Sequence, residues 1–506
     1  MGTTEVLVVG AGPTGLALAC GLLQQGVDVR VVDRATGPGT TSRANGLHAR
    51  GAEVLDRVGA LADLPERALP ALQIGMHLNG ERLTTVRFGE IEGKSMSALF
   101  LSQALIEDAL RRRLEELGGA VEWNAELVDA VQDTGGVTAT LGGDDTVRAQ
   151  GLAGCDGAHS AVRKAAGIGF PGAALPDQWL LADARAELSG DRSGSLGWID
   201  GRGILAAMPM PGEDVWRFMT SVPHSEGEDP GSQEILDHFD RQFAERTNLP
   251  GVRLRDPLWT STFRIHRRLA DDYRRGRVLL AGDAAHIHSP LGGQGMNTGI
   301  GDAENLAWKL ALVVRGRADA SLVDTYPAER RPLAAGVLRG TSTSTRMALV
   351  RGPVLRFLRD RAMIPLLSRP GVQRRLTNTA SQLWVHYRKG PLGSRFGRGP
   401  RPGDRVPDVS CRRSDGTPTR LHAELRGRWV LLGSFEDGQA SLVSEALGQR
   451  VTALVPADGN TRELRLVRPD GHLAWRGRSN SSGLRRWLET ALGTALGTAL
   501  RREIAA

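Results

Sequence analysis

The sequence predicts an α/β protein: a mostly parallel sheet interrupted by a mostly antiparallel one, then a helical segment and a separate C-terminal module. Three observations carry this prediction. A glycine-rich turn joins an apolar strand to a helix near the start, the texture becomes short alternating segments over about 176–267, and Gly and Pro crowd the stretch 389–404. Residues 5–10 (Glu-Val-Leu-Val-Val-Gly) are apolar on both faces, as a buried parallel strand requires. The next segment, Gly15 to Gln25, puts Leu16, Ala19, Leu22 and Leu23 at helical spacing, with Gly26 as the stop. Val29 to Asp33 is a second buried strand and closes a βαβ unit, the start of a Rossmann-type fold. Val6 to Leu23 carries no charge, yet its glycines break it and the first five residues are not a basic leader. Neither a membrane span nor a targeting segment is expected.

Further on, Ser102 to Leu117 is an amphipathic helix with Leu105, Leu110, Leu114 and Leu117 turned inward. Trp198-Ile199, Ile204 to Met208 and Val215 to Met219 belong to the inserted sheet, and 277–315 returns to strand, glycine-rich loop and long helix. Past Tyr326 the chain is helical and arginine-rich to about residue 390. These elements divide it into 1–175 and 268–390 (one discontinuous domain with its helical segment), an inserted sheet domain 176–267, a linker 391–404, a module 405–492 and a frayed tail 493–506.

A chain of 506 residues, 41% hydrophobic and 24% charged, can bury sizeable cores and is not disordered. Cys20, Cys155 and Cys411 are too few and too dispersed for a disulfide framework or a metal cage, so a cytoplasmic protein without a metal is expected. The net charge is +7, but the arginines are scattered, and the sequence gives no argument for nucleic-acid binding.

The first chemical motif is Gly10-Ala-Gly12-Pro13-Thr14-Gly15, set between strand and helix, with Asp33 and Arg34 at the end of the next strand. Its glycines permit a tight turn and close approach of a pyrophosphate, the helix N-terminus faces the negative charge, and the carboxylate can accept from ribose hydroxyls. This signature alone does not separate FAD from NAD. Two further segments follow apolar strands: Gly154-Cys-Asp156-Gly157-Ala-His-Ser160-Ala-Val-Arg163, and Gly276-Arg-Val-Leu-Leu-Ala-Gly282-Asp283-Ala-Ala-His286. The second continues as Ser289-Pro290-Leu-Gly292-Gly293-Gln294-Gly295-Met296-Asn297-Thr298-Gly299.

In wording and spacing these motifs resemble the single-component, FAD-dependent aromatic hydroxylases, the family of para-hydroxybenzoate and phenol hydroxylases, over roughly residues 4–390. The resemblance implies non-covalent FAD, with NADPH or NADH as a transient donor, since no second dinucleotide unit is visible. It also implies that Arg43 reaches the FAD phosphates, that Gln103 contacts FAD, and that Asp156 supports both FAD and the donor. Asp283 would accept from the ribityl chain, Met296 and Asn297 would contact the isoalloxazine, and the Pro290 loop with Gly295 would lie beside it. His286 and His288 are read as buried hydrogen-bonding histidines. Trp198, Met208 and Phe218, in the inserted sheet, are candidates for the substrate pocket, with plain core packing equally open to each.

The module 405–492 resembles the thioredoxin-like C-terminal domain of the phenol and polyketide hydroxylase branch, chiefly at Val467-Arg468-Pro469-Asp470-Gly471-His472-Leu473-Ala474-Trp475-Arg476. It lacks a Cys-x-x-Cys pair, so no redox role is expected there. The activity implied is hydroxylation of an electron-rich, polycyclic polyketide-type aromatic by O₂ through a flavin C4a-hydroperoxide. Baeyer–Villiger oxygenation, antibiotic inactivation and a reductase or dehydrogenase reaction without oxygen transfer are the other readings. A homodimer is left open. Because every cofactor motif lies upstream of residue 400, deleting 400–506 is expected to leave FAD bound but to cost solubility or alter the oligomeric state by uncovering a docking face.

Overall fold

The computed structural model describes residues 2–493 except 42–43, 72, 88–95, 144, 189–191, 225–228, 250, 290–292, 349–351, 359–360, 362–365, 367–368, 436, 449, 460–462 and 479–481. Arg43, Pro290 and the tail after Gly493 therefore lie outside the described residues.

Val6, Leu7, Val8 and Val9 are all buried, and the strand Gly2–Val9 takes the centre of the first sheet. It pairs in parallel with Val29–Val32 on one side and Thr146–Gly154 on the other, and the latter pairs in parallel with Val278–Leu280. Parallel pairing brings the carboxyl ends of four strands to one edge, where open α/β sheets bind their ligands. That edge carries Gly10, Asp33, Gly154 to Asp156, and Gly282-Asp283. Main-chain bonds join it: Gly10 N to Val32 O at 2.8 Å, Cys155 N to Val9 O at 2.7 Å, and Ala281 N to Gly154 O at 3.0 Å. Two helices cover the sheet, Pro13–Gln24 and the long Gln294–Val314, and they pack closely enough that a Cβ on Gly21 would fall 2.8 Å from Ala307 Cβ.

The second sheet has eight strands, in the order 286–287, 255–269, 172–185, 215–223, 203–209, 194–200, 73–78 and 81–87. Its antiparallel centre is the inserted segment expected from the sequence. Two of its strands come from upstream of residue 176, because Gly194–Asp200 pairs in parallel with Gln73–Leu78. At the other edge His286–Ile287, directly after the Gly282-Asp283 turn, pairs with the end of Arg255–Leu269. The helix Ser232–Arg246 covers one face through Ile235, Leu236, Phe239 and Phe243.

The C-terminal module is a six-stranded mixed sheet with helices Leu421–Leu425, Asp437–Leu447 and Gly483–Leu492. One of its apolar clusters extends beyond it: Trp429, Leu431, Val443, Leu466 and Leu488 pack with Trp308, Leu312 and Leu322 of the upstream helices. The glycines of 390–403 serve close approach. A Cβ on Gly393 or Gly403 would land 2.1 or 2.5 Å from the Tyr387 backbone, and Gly403 N donates to Leu473 O.

Candidate active site

The first glycine turn is built as its sequence demands. Gly10 has φ 105°, and a Cβ there would meet Cys155 O at 2.4 Å; one on Gly15 would lie 1.9 Å from Gly10 O. Gly12 differs, because its Cβ direction meets nothing within 4 Å and the helix it begins has no side-chain cap. The first N–H groups of Pro13–Gln24 thus open onto a cradle shaped for a phosphate ester. Beside it, Asp33 accepts from Ala11 N at 2.7 Å and Ala35 N at 2.8 Å, which fixes the carboxylate at the strand end. Arg34 follows, exposed. Gln103 starts the helix Gln103–Glu116 and donates to Glu107 at 2.7 Å. Burial raises the Glu107 carboxyl, although the Gln103 bond opposes it. Glu107 went unnoticed in the sequence; its signal was the four-residue spacing from Gln103 on one helix face.

Asp156 uses one oxygen, accepting from Ala161 N at 2.7 Å and Val162 N at 3.1 Å, while its buried Oδ1 has no protein partner among the described residues. A buried carboxylate oxygen left over in this way suits a ligand hydroxyl. Arg163 donates to Ala284 O at 2.9 Å and so ties this motif to the next. Asp283 stands exposed in the single turn Gly282–Ala284. Thr14 locks three motifs together: a Cβ on Gly282 would fall 2.6 Å from Thr14 Oγ1, and one on Gly299 2.3 Å from it. Substituting any of these residues disturbs the turn, the strand end and the long helix at once.

The long helix begins at Gly293, whose φ of 59° turns the chain, and it too lacks a side-chain cap. Met296 is half-buried in the first turn. The Asn297 amide is committed to the main chain: it donates to Gly46 O and Gly293 O, both at 2.9 Å, and accepts from His48 N at 2.8 Å. What this end of the helix, with Gly295, can present to a ligand is therefore its own N–H groups and positive dipole, which suit a negatively charged edge. One turn on, buried Asp302 accepts from His286 Nε2 at 2.7 Å, Gly282 N at 3.1 Å and Arg330 Nε at 2.6 Å. Burial would raise the Asp302 carboxyl, but Arg330 and His286 outweigh it and hold it below the usual range.

His286 donates through Nε2 to the Asp302 carboxylate. His288 donates through Nδ1 to Ser289 O at 3.0 Å, so its lone pair is on Nε2. The buried His286 Nδ1 and His288 Nε2 have no protein partner among the described residues. Burial keeps His288 neutral, with its pKa drawn down to about 4.

Strand alternation divides the three candidates of the inserted sheet. Trp198 stacks on His77 at 5.0 Å and meets Phe243 edge-on, and Phe218 packs on Phe239 and Phe243, so both lie under the helix Ser232–Arg246. Met208 lies on the other face with Trp179, Leu181, Ile204, Met219, Ile265 and half-buried Trp259 and Phe263. That face is turned toward the start of the long helix. Met210, in step with Met208, touches Asn45 Nδ2 through its sulfur at 3.6 Å, and the neighbouring Gly46 O is held by Asn297. On the same face a buried pair, Arg217 and Asp183, joins facing residues at 2.6 and 2.7 Å. The signal for Trp179, Trp259 and Phe263 was their parity along the strands, which becomes readable only with the register.

Residues 3–341 match the family described as FAD binding domain, and 399–499 match the aromatic-ring hydroxylase C-terminal family. The chain is 36% identical to 6-methylpretetramide 4-monooxygenase of Streptomyces rimosus, covering 94% of this chain and 91% of the relative. It is also 36% identical to rifampicin monooxygenase of Streptomyces venezuelae, over 95% of this chain and 97% of that one. The solved structure of anhydrotetracycline hydroxylase from Streptomyces rimosus superimposes with a TM-score of 0.80 at 34% identity, covering 97% of this chain and 99% of that one.

Proposed function

The chain belongs to the FAD-dependent aromatic hydroxylases and is an FAD-dependent aromatic monooxygenase, and we propose that it hydroxylates a flat, polycyclic, polyketide-type phenol using NADPH or NADH and O₂. The observation that carries this reading is the aromatic face of the inserted sheet. Trp179 stands opposite Phe263 in register, and Trp259 stands opposite Asp183, whose charge is taken up by Arg217, giving a largely aromatic floor several rings wide beside the start of the long helix. The activities named for the three relatives, on tetracycline-type and rifampicin substrates, support a large ring system.

Bound FAD would supply the two-electron relay from the nicotinamide donor and the activation of O₂. The protein supplies the rest. The Gly12 cradle and Asp33 would hold the pyrophosphate and ribose, Asp156 Oδ1 and Asp283 would accept from hydroxyls, and the uncapped start of the long helix would stabilise negative charge on the reduced ring. The aromatic sheet face would exclude water from the reacting edge. The Arg43 and Pro290 contacts implied by the resemblance belong to this proposal.

The test is NADPH and NADH oxidation against phenols and polycyclic polyketides, with mass and NMR identification of products. A true substrate should raise the oxidation rate at least about tenfold and gain one oxygen as a phenolic hydroxyl. A ring-expanded ester or lactone would establish the Baeyer–Villiger reading. Equal turnover without O₂ would establish a reductase and overturn the proposal. The rifampicin relative favours one second reading, inactivation of an antibiotic, which protection of a sensitive strain by the expressed protein would reveal.

A further inference from the structure

The turn Arg468-Pro469-Asp470-Gly471-His472, between strands Leu464–Val467 and Leu473–Gly477 of the C-terminal module, does not end in its own domain. Arg468, Asp470 and His472 are each at most 1% exposed. Asp470 accepts from Asn305 Nδ2 and Trp308 Nε1, both at 3.3 Å, and so grips two positions one turn apart on the long helix. Its carbonyl accepts from Arg50 at 2.8 Å. Arg468 pairs with Asp470 and donates to both oxygens of Glu329 at 3.0 Å, and Glu329 also holds Lys309 at 2.8 Å.

The next residue, Arg330, continues the path. It donates to Asp302 at 2.6 Å, to Thr298 O at 2.8 Å and to the Tyr387 hydroxyl at 3.0 Å, and the Tyr387 ring lies 4.3 Å from that of His472. Asp302 in turn holds His286 and the Gly282 amide, directly before Asp283. Connected, buried hydrogen bonds and one ring contact therefore run from the C-terminal turn to the cofactor edge of the first sheet. Buried ionic groups are poor sources of net stability, but their geometry admits few arrangements, so they set register well.

We propose that the 468–472 turn is a positioning element for the flavin site. By holding Asn305, Trp308, Glu329 and, through Tyr387, Arg330, it fixes the height and rotation of the long helix, and with them the helix start and the Gly282-Asp283 turn that receive FAD. The C-terminal module would then act on flavin chemistry without contacting the cofactor. This goes beyond the choice of substrate and needs no substrate to test.

Tyr387→Phe, which removes one hydroxyl and keeps the ring on His472, and Asp470→Asn would be prepared as full-length protein. FAD affinity, the visible flavin spectrum and the flavin midpoint potential would be measured beside the thermal midpoint. Arg413→Gln, altering a surface pair with Glu424 in the same module, is the control and should match wild type in the flavin readouts. Both path variants should bind FAD about five- to tenfold more weakly and shift the spectrum and potential, with Tyr387→Phe close to wild type in thermal midpoint. Wild-type affinity, spectrum and potential in folded Tyr387→Phe would overturn the proposal, even if Asp470→Asn does not fold. A lowered thermal midpoint with unmoved flavin readouts would show a merely structural junction and would also overturn it.

Discussion

Asp283 stands exposed at the sheet edge, so Asp283→Ala removes a prospective ligand contact without opening a core. It should weaken FAD binding about ten- to hundredfold, the loss expected for a hydrogen bond to a charged group, read as the flavin-to-protein absorbance ratio after gel filtration. Full occupancy would remove Asp283 from the site. His288 makes the opposite case. Burial keeps it neutral at ordinary pH, so His288→Asn takes away no charge, and flavin reduction by NADPH in rapid mixing should stay within about threefold of wild type. Complete loss of reduction in an FAD-loaded variant would make His288 a participant in the chemistry. The glycine motifs were legible because turns and close approaches admit few other residues. Glu329 and Arg330 were not, because a charged pair on an arginine-rich helix looks solvated until the packing buries it. Lys309, one of only four lysines among 64 basic residues, offered a faint signal.

The inserted sheet shows where pattern reading stops. Its central strands are buried on both faces, so hydrophobic alternation cannot say which face meets substrate; register decides. Phe218→Ala, beneath the helix Ser232–Arg246, should cost about 3–5 kcal/mol in denaturant unfolding and leave the KM of the folded enzyme near wild type. Met208→Ala, on the opposite face, should cost less stability and change the aromatic-substrate KM several-fold. Equal KM effects from the two would undo the division of faces. The stretch 389–404 teaches the same lesson, since Gly and Pro mark flexible tethers and tight junctions alike. Here Gly393 and Gly403 lie against Tyr387 because a side chain would not fit.

The shared core gives residues to the docking face that the C-terminal module was expected to cover. Deleting 400–506 would bare Trp308, Leu312 and Leu322 and leave Glu329 without Arg468 and Glu53 without Arg405, so the truncated chain should aggregate or fail to retain FAD, as size-exclusion chromatography with flavin detection would show. The junction should also be acid-labile. Burial would raise the Glu53 and Glu329 carboxyls, but Arg405 at the first and Arg468 with Lys309 at the second pull both from 4.5 down to about 2. With folded values below unfolded ones, their stabilisation is complete above pH 4.5 and is lost as pH falls from 4.5 through 2. Thermal midpoints across that window should drop, and Glu329→Gln should flatten the fall while lowering the plateau by about 3–5 kcal/mol. The seam between Trp308 and Trp429 also has a consequence in time. During synthesis Leu322 emerges about a hundred residues before Trp429 exists to cover it, a delay of roughly 5–20 s at ordinary ribosomal speeds. For that interval the nascent flavin domain carries a bare tryptophan seam that only its own unfinished C-terminus can close.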